Sequence, residues 1–128
     1  MSDKQLMVLS TLEDIQFSIE LIIKRFAEIH TSDDFLADEN GLEKLDSISM
    51  RLVAIGEGFK NIDKLTEMQL LSKYTTINWK GVKGVRDILS HHYFDLDAEV
   101  IFTICDGHLE ELLQVTLDMI LKMKTYAI

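Results

Sequence analysis

The stretch LEDIQFSIELIIKRFAEI, residues 12–29, decides the fold class of this chain. Its large apolar residues recur at alternating steps of three and four, which places them along one side of an α-helix. Charged residues occupy the opposite side. The apolar stripe consists of Leu12, Ile15, Ile19, Ile22, Phe26 and Ile29. The pattern predicts a long amphipathic helix that buries one face against the rest of the protein.

The same helical period continues through most of the 128 residues. A second stripe runs over residues 42–62, a third over 79–89 and a fourth over 100–123, and a short helical piece is expected around Phe35. Strand-like alternation of useful length does not occur, and the absence of proline suits uninterrupted helices. We therefore predict an all-α fold, in which one domain over residues 1–128 forms an antiparallel bundle of four to five helices.

Residues that favour helix caps indicate where these helices begin. Asn40 is followed three residues later by glutamate, and Thr66 by glutamine, which is the capping-box arrangement. The second of these boxes predicts a short helix that runs through about residue 73. Asn78 is expected to cap the third stripe, and Asp97 is expected to cap one long final helix.

Two glycines, Gly56 and Gly58, interrupt the second stripe. Each costs up to about 1 kcal/mol relative to alanine inside a helix, so the pair indicates that another backbone or a functional group comes close. Ordinary tight packing between helices explains the glycines equally simply. On the sequence alone we favour that interpretation.

The composition limits what the protein can bind. There are 22 acidic and 13 basic residues, which give a formal net charge of −9. A broad, non-specific surface for nucleic acid is therefore not expected, whereas a local site built on one or two cations is compatible with this charge. Hydrophobic residues make up 47% of the chain, which predicts a second buried surface such as a dimer interface, or else a large monomeric core.

The sequence also carries information about the cellular compartment. Cys105 is the single cysteine, so no internal disulfide can form, which fits a reducing compartment. The first residues lack the charged and apolar regions of a signal peptide, and no uncharged apolar run approaches the roughly 18 residues that a membrane span requires. We expect a cytoplasmic protein that does not enter the membrane.

The stretch WKGVKGVRDILSHHYF, residues 79–94, concentrates the groups that could carry chemistry. They are Arg86, Asp87, Ser90, His91, His92 and Tyr93. Arg86 and His91 are five residues apart, hence about 140° apart around an ideal helix. They converge only if the helix ends near His91 or if a second copy of the chain completes the site. His91 and His92 lack the i, i+4 spacing of two ligands on one helix face, so we expect no metal site.

The arginine, histidine and tyrosine of this stretch form part of a longer series of motifs. Arg86, His91 and Tyr93 are spaced as R-x4-H-x-Y, and Ile55-Gly56-Glu57 stands on an earlier helix. The run Tyr93-Phe94-Asp95-Leu96-Asp97 leads into the last helix. In order and spacing the series resembles the R-x4-H-x-Y, I-G-E and Y-F-x-x-D motifs of the HepT-like toxins of the HEPN ribonuclease superfamily. The resemblance covers most of the chain.

The resemblance implies a fold, an activity and a set of catalytic residues. It implies a helical bundle that dimerises and brings two copies of the motif into one cleft, acting as a metal-independent endoribonuclease without a cofactor. His91 would take the proton from a ribose 2′-hydroxyl, since the pKa of histidine lies near neutrality. Arg86 would stabilise the charge on the phosphate. RNA is the implied substrate, and DNA is not. Glu57, Asp87 and Ser90 would support the site.

The resemblance further implies a regulator. In related proteins the tyrosine at the position of Tyr93 accepts AMP from a partner, a minimal nucleotidyltransferase that acts as the antitoxin of a type VII-like pair. The added phosphate and bulk would close the cleft. This chain departs from the superfamily at Asp87, where asparagine is frequent. A carboxylate beside Arg86 would partly neutralise the cation and repel phosphate.

Two alternatives to a ribonuclease remain open from the sequence. The protein could be a non-catalytic helical partner and AMP acceptor of a small nucleotidyltransferase, or a helical dimer in which the motif is structural. Taken singly, each motif residue also has an ordinary interpretation. Arg86 could form a surface salt bridge, His91 could satisfy the last carbonyls of a helix, Tyr93 could belong to the core, and Glu57 could be a solvated charge.

Overall fold

The computed structural model describes residues 1–90 and 97–126, and in those residues every regular element is helical. The five α-helices are α1 (Asp3–Phe26), α2 (Glu39–Leu65), α3 (Trp79–Ser90), α4 (Ala98–Cys105) and α5 (Leu109–Tyr126). Two short 3₁₀ helices, Ser32–Phe35 and Leu71–Lys73, lie in the connections on either side of α2. The prediction of an all-α bundle of four to five helices is confirmed.

The first helix forms as its periodicity predicts. The Ser2 hydroxyl accepts a hydrogen bond from the Gln5 backbone N–H, and the Gln5 side chain accepts one from the Ser2 N–H, so two N-terminal donors are satisfied. Of the six stripe residues, five are buried and Phe26, the last residue of α1, is half-buried. Ile29 lies beyond the end of the helix and still reaches the core.

The second helix begins earlier than expected. Its N-cap is Asp38, whose carboxylate accepts a hydrogen bond from the Gly41 N–H at 2.7 Å, so the predicted start at Asn40 is wrong by two residues. The carboxylate satisfies a donor of the first turn, which leaves Asn40 inside the helix. Leu42 is 46% exposed and does not join the core, although the rest of the predicted stripe is buried.

The short helix predicted at Thr66 does not form. Thr66 ends α2, and its hydroxyl donates to the Ile62 carbonyl at 2.8 Å instead of accepting from a following N–H. Glu67 and Met68 then adopt positive φ angles of 53° and 66°, which a continuing α-helix does not allow. Only the 3₁₀ helix Leu71–Lys73 follows.

A polar contact fixes the segment that leads into α3. The Tyr74 hydroxyl donates to the Asp118 carboxylate at 2.7 Å, and Lys122 approaches the same carboxylate at 2.9 Å. The Tyr74 hydrogen bond, followed by that of Lys122, holds the pKa of Asp118 below its ordinary value. The Trp79 indole N–H donates to the Tyr74 carbonyl at 3.0 Å, and Asn78 caps α3 through the Gly81 N–H, as predicted.

The single long helix predicted for the end of the chain is in fact two helices. Asp97 caps α4 as expected, with its carboxylate accepting from the Glu99 and Val100 N–H groups. The chain then turns at Gly107, where φ is +82°, a left-handed angle that glycine adopts without steric cost. The apolar period runs on across this break, which is why periodicity alone did not reveal it.

The helices pack around one core, mainly between α1, α2 and α5, while α3 packs against α2. Two contacts show that α1 and α2 are antiparallel. Arg51 donates to the Ser18 hydroxyl at 3.3 Å, and Lys44 pairs with Glu28, just beyond the C-terminal end of α1. Cys105 is buried, and that burial raises the pKa of its thiol to about 12. None of the helices in the described ranges is long and apolar enough to cross a bilayer.

Candidate functional site at the seam between α2 and α3

The backbones of α2 and α3 come close together at Gly56, in the seam between these two helices. A Cβ atom at this position would lie 2.8 Å from the Val82 carbonyl oxygen, so only glycine lets the backbone of α3 come this near. Gly58 faces the other way, where a Cβ atom would meet the Ile15 side chain of α1 at 2.9 Å. The two glycines therefore serve tight helix packing on opposite sides of α2, as the simpler interpretation held.

Two ion pairs cross this seam on successive turns of α3. The Lys83 ammonium lies 2.5 Å from the Asp63 carboxylate, and Asp63 is only 6% exposed. The Arg86 guanidinium Nη1 donates to Glu57 Oε1 at 3.2 Å. Here both side chains are open to solvent, 58% exposed for Arg86 and 40% for Glu57. The first pair is part of the helix interface, and the second lies at its surface.

The exposed pair unites two sequence motifs. Glu57 belongs to the Ile55-Gly56-Glu57 run and Arg86 begins the R-x4-H-x-Y run, and 29 residues separate them in the chain. Gly56 lies close to Val82, and Arg86, one turn beyond Val82 on α3, meets Glu57, the residue after Gly56. An exposed guanidinium with donors left over can still bind a phosphate, because it carries five N–H groups in a planar fork.

The other predicted site residues are only partly placed. Asp87 is exposed and follows Arg86 on α3, and Ser90 is the last residue of that helix. His91 and Tyr93 lie outside the described residues, as does His92. The geometry that would join His91 to Arg86 therefore stays a prediction.

One cation of the site was missed from the sequence. The Lys60 ammonium lies 3.9 Å from Glu57 Oε1, the same oxygen that Arg86 contacts. Its signal was the three-residue step from Glu57, which puts both side chains on one face of α2. The buried pair of Asp63 and Lys83 was also not foreseen, because a pairing between helices depends on how they dock.

The opposite side of α3 borders an apolar groove of about 510 Å³. The groove lies between α3 on one side and α4 and α5 on the other, and α2 contributes to its lining. Ile88, near the C-terminal end of α3, is 49% exposed there. The lining includes Leu52, Ile55, Val82, Val85, Ile88, Ile104, Leu109 and Leu112, together with His108 and Glu111. One flank of α3 is thus charged and the other apolar.

The expectation that there is no metal site concerned His91 and His92, which lie outside the described residues. Across residues 1–90 and 97–126, no three His, Cys, Asp or Glu side chains are grouped so that they could hold a metal ion. The charged groups of the seam are instead arranged as carboxylate–cation pairs. This arrangement presents cations of α2 and α3 at one edge, where an anion could bind.

The fold and the site define a class of protein. It is a small all-helical protein in which a glutamate of one helix holds an exposed arginine of the next. The family model described as "Ribonuclease HepT-like" matches residues 15–119. The chain belongs to this HepT-like ribonuclease family.

The chain is similar to several named relatives. It is 34% identical over 79 residues to "Putative RNase MJ0127" of Methanocaldococcus jannaschii, which covers 62% of this chain and 60% of that protein. It is 33% identical over 93 residues to "Gamma-glutamylcyclotransferase and putative RNase MJ0434" of the same organism, covering 73% of this chain but 38% of the relative. The match to these two relatives thus spans less than two thirds of their own length.

A third relative is matched almost throughout. This is "Putative RNase TTE0752" of Caldanaerobacter subterraneus subsp. tengcongensis, 30% identical over 114 residues, which are 88% of this chain and 94% of that protein. No solved structure matches the chain.

Proposed function

We propose that this protein is an endoribonuclease toxin that cleaves RNA without a metal ion or cofactor, with Arg86 and His91 as its catalytic residues. The observation that carries the proposal is the meeting of Arg86 with Glu57 at an exposed edge, which joins the two family motifs in one place. Membership of a family described as HepT-like ribonuclease supports the same activity.

The proposed reaction uses the 2′-hydroxyl of the substrate itself. His91 removes its proton, the 2′-oxygen bonds to phosphorus, and the bond from phosphorus to the 5′-oxygen breaks. The leaving oxygen takes up a proton, so the products are a 2′,3′-cyclic phosphate and a 5′-hydroxyl. Arg86 stabilises the negative charge on the phosphate through its fork of N–H donors. DNA lacks the 2′-hydroxyl and would not be cleaved.

The proposal includes a homodimer. Arg86 and His91 lie about 140° apart on an ideal helix, so a second copy that brings its own motif alongside would complete the cleft. The apolar groove beside α3 and the half-exposed Ile88 support the burial of this face of α3 against a second copy of the chain. Light scattering at micromolar concentration should give twice the 14.7 kDa monomer mass, and a monomer would remove this part of the proposal.

The proposed regulator is a minimal nucleotidyltransferase that transfers AMP to Tyr93 in the cytoplasm. The modified tyrosine would carry a phosphate at the mouth of the cleft, where it repels the RNA backbone. Intact-mass measurement of the protein co-expressed with its neighbouring gene product tests this transfer. We expect a gain of one or more AMP units that is lost in Tyr93→Phe. Labelling that persists in that variant would refute the choice of residue.

A second candidate function has its own support. Arg86 is already paired with Glu57, Asp87 follows it, and the chain carries a net charge of −9, all of which oppose the binding of a polyanion. Under this alternative the protein is a non-catalytic binding partner and AMP acceptor of the nucleotidyltransferase. It predicts AMP transfer without RNA cleavage.

Cleavage of a labelled single-stranded RNA separates the two candidates. The wild-type protein should cut RNA and leave DNA of the same sequence intact. We expect His91→Ala to abolish cleavage and Arg86→Gln to slow it about 10²- to 10³-fold, the usual cost of losing one charge-stabilising donor. Lys24→Gln, at an exposed position of α1, is the control with the same change of charge. Unchanged cleavage in His91→Ala would sink the catalytic proposal.

A further inference from the structure

The charges of this acidic protein are unevenly distributed along the chain. Residues 57–90 contain six of the 13 Lys and Arg residues but only four of the 22 Asp and Glu residues, which gives this segment a net charge of +2. The rest of the chain carries −11. The positive segment comprises the last part of α2, the connection and all of α3, so it contains both helices of the seam.

The cations of this segment differ in their availability. Lys83 is engaged by the buried Asp63 and keeps 22% of its side chain exposed, so it belongs to the interface. Lys60 has 42% of its side chain exposed and Arg86 has 58%, and both contact the one Glu57 oxygen at the same surface edge. Two exposed cations therefore approach a single carboxylate oxygen.

We propose that Lys60 is a second phosphate-binding residue for RNA, placed beside Arg86 on the α2–α3 edge. The inference rests on the proposed ribonuclease function and adds a substrate contact outside the R-x4-H-x-Y motif. Both cationic nitrogens lie within 4 Å of one oxygen, so they can hold the same phosphate group or two successive groups of one strand. Lys64, exposed and one turn further along α2, continues this face towards the end of the helix.

Phosphate binding at this edge explains how an acidic protein can hold RNA. Each phosphate that a lysine neutralises releases counterions, so affinity falls with salt in proportion to the number of such contacts. A site of two or three cations binds RNA weakly and at one place, and it needs no broad basic surface. Glu57 competes with the phosphate for both cations, which lowers the affinity of this edge for RNA.

The experiment measures how salt weakens binding. Fluorescence anisotropy with a labelled single-stranded RNA, whose 2′-oxygens are methylated to block cleavage, gives the slope of log affinity against log salt. Lys60→Gln should weaken binding and reduce the magnitude of the slope by about 0.7, the value for one phosphate contact on a single strand. Lys24→Gln, on α1, removes the same charge and should leave the slope at its wild-type value.

The outcomes separate this inference from the function on which it rests. If Lys60→Gln keeps the wild-type slope while Arg86→Gln lowers it, the assignment of Lys60 is overturned and the ribonuclease proposal stands. An equal reduction in Lys24→Gln would also overturn it, because net charge alone would then explain the effect. A wild-type protein that neither binds nor cleaves RNA would overturn both.

Discussion

The two ion pairs of the α2–α3 seam are alike in chemistry and opposite in surroundings. Asp63 and Lys83 meet where the carboxylate is 6% exposed, whereas Glu57 and Arg86 meet where both side chains face solvent. The cations are three residues apart on one helix. Burial therefore decides which pair holds the helices together and which remains available to a ligand. A charged residue in a motif need not stabilise the fold, and a structural pair need not belong to a motif.

The largest expected effect comes from the buried pair. Lys83→Met leaves the Asp63 carboxylate buried without its cation, and we expect the free energy of unfolding to fall by about 3 kcal/mol. Urea unfolding monitored by circular dichroism measures this change. The double variant Asp63→Leu with Lys83→Met is the control, because it removes both charges and should recover most of the loss. If Lys83→Met lowered the free energy of unfolding by less than about 0.5 kcal/mol, the range of an exposed pair, the buried pair would be no more stabilising than the exposed one.

The glycine that sets the spacing of the seam should give the next largest effect. In Gly56→Ala the new Cβ would lie 2.8 Å from the Val82 carbonyl oxygen, so α3 must shift, at a cost of about 1–3 kcal/mol that the better helix propensity of alanine only partly offsets. Gly84→Ala is the matched control on α3, since no atom lies within 4 Å of its Cβ position. It should stabilise the protein by up to about 1 kcal/mol.

Both glycine variants also test the link between seam and site. A shift of α3 would move Arg86 away from Glu57, so Gly56→Ala should lower RNA cleavage as well as stability. Gly84→Ala should leave the ion pair in place. If Gly56→Ala proved as stable as Gly84→Ala, the close approach at Val82 would not constrain the seam, and the position of Arg86 would need another explanation.

Much of the fold could be predicted from sequence because amphipathic periods report which face of a helix is buried. The α1 stripe is buried almost as expected. The errors at the ends of α2 arose because other hydrogen-bonding groups nearby competed for the same backbone groups. Asp38 satisfied the first turn of α2 in place of Asn40, and Thr66 bonded back to Ile62. The break at Gly107 escaped notice because the apolar period continues across it.

The site could be predicted only in its separate parts. Sequence motifs singled out Glu57 and Arg86, but their contact depends on how α2 docks against α3, which periodicity does not specify. The same docking created the pair of Asp63 and Lys83 and brought Lys60 to Glu57. The roles of His91 and Tyr93 stay predictions that rest on the family motif.

The smallest expected effect comes from the exposed pair. Because an exposed ion pair contributes little, Glu57→Gln should change the free energy of unfolding by no more than about 0.5 kcal/mol. A double-mutant cycle with Arg86→Gln, measured in low salt and in 1 M NaCl, isolates the interaction. The coupling should vanish in high salt, since the Debye length is then only about 3 Å. The matching cycle for Asp63 and Lys83 should keep most of its coupling, because a buried pair is poorly screened. Equal salt sensitivity of the two couplings would mean that burial does not distinguish the Asp63–Lys83 pair from the exposed Glu57–Arg86 pair.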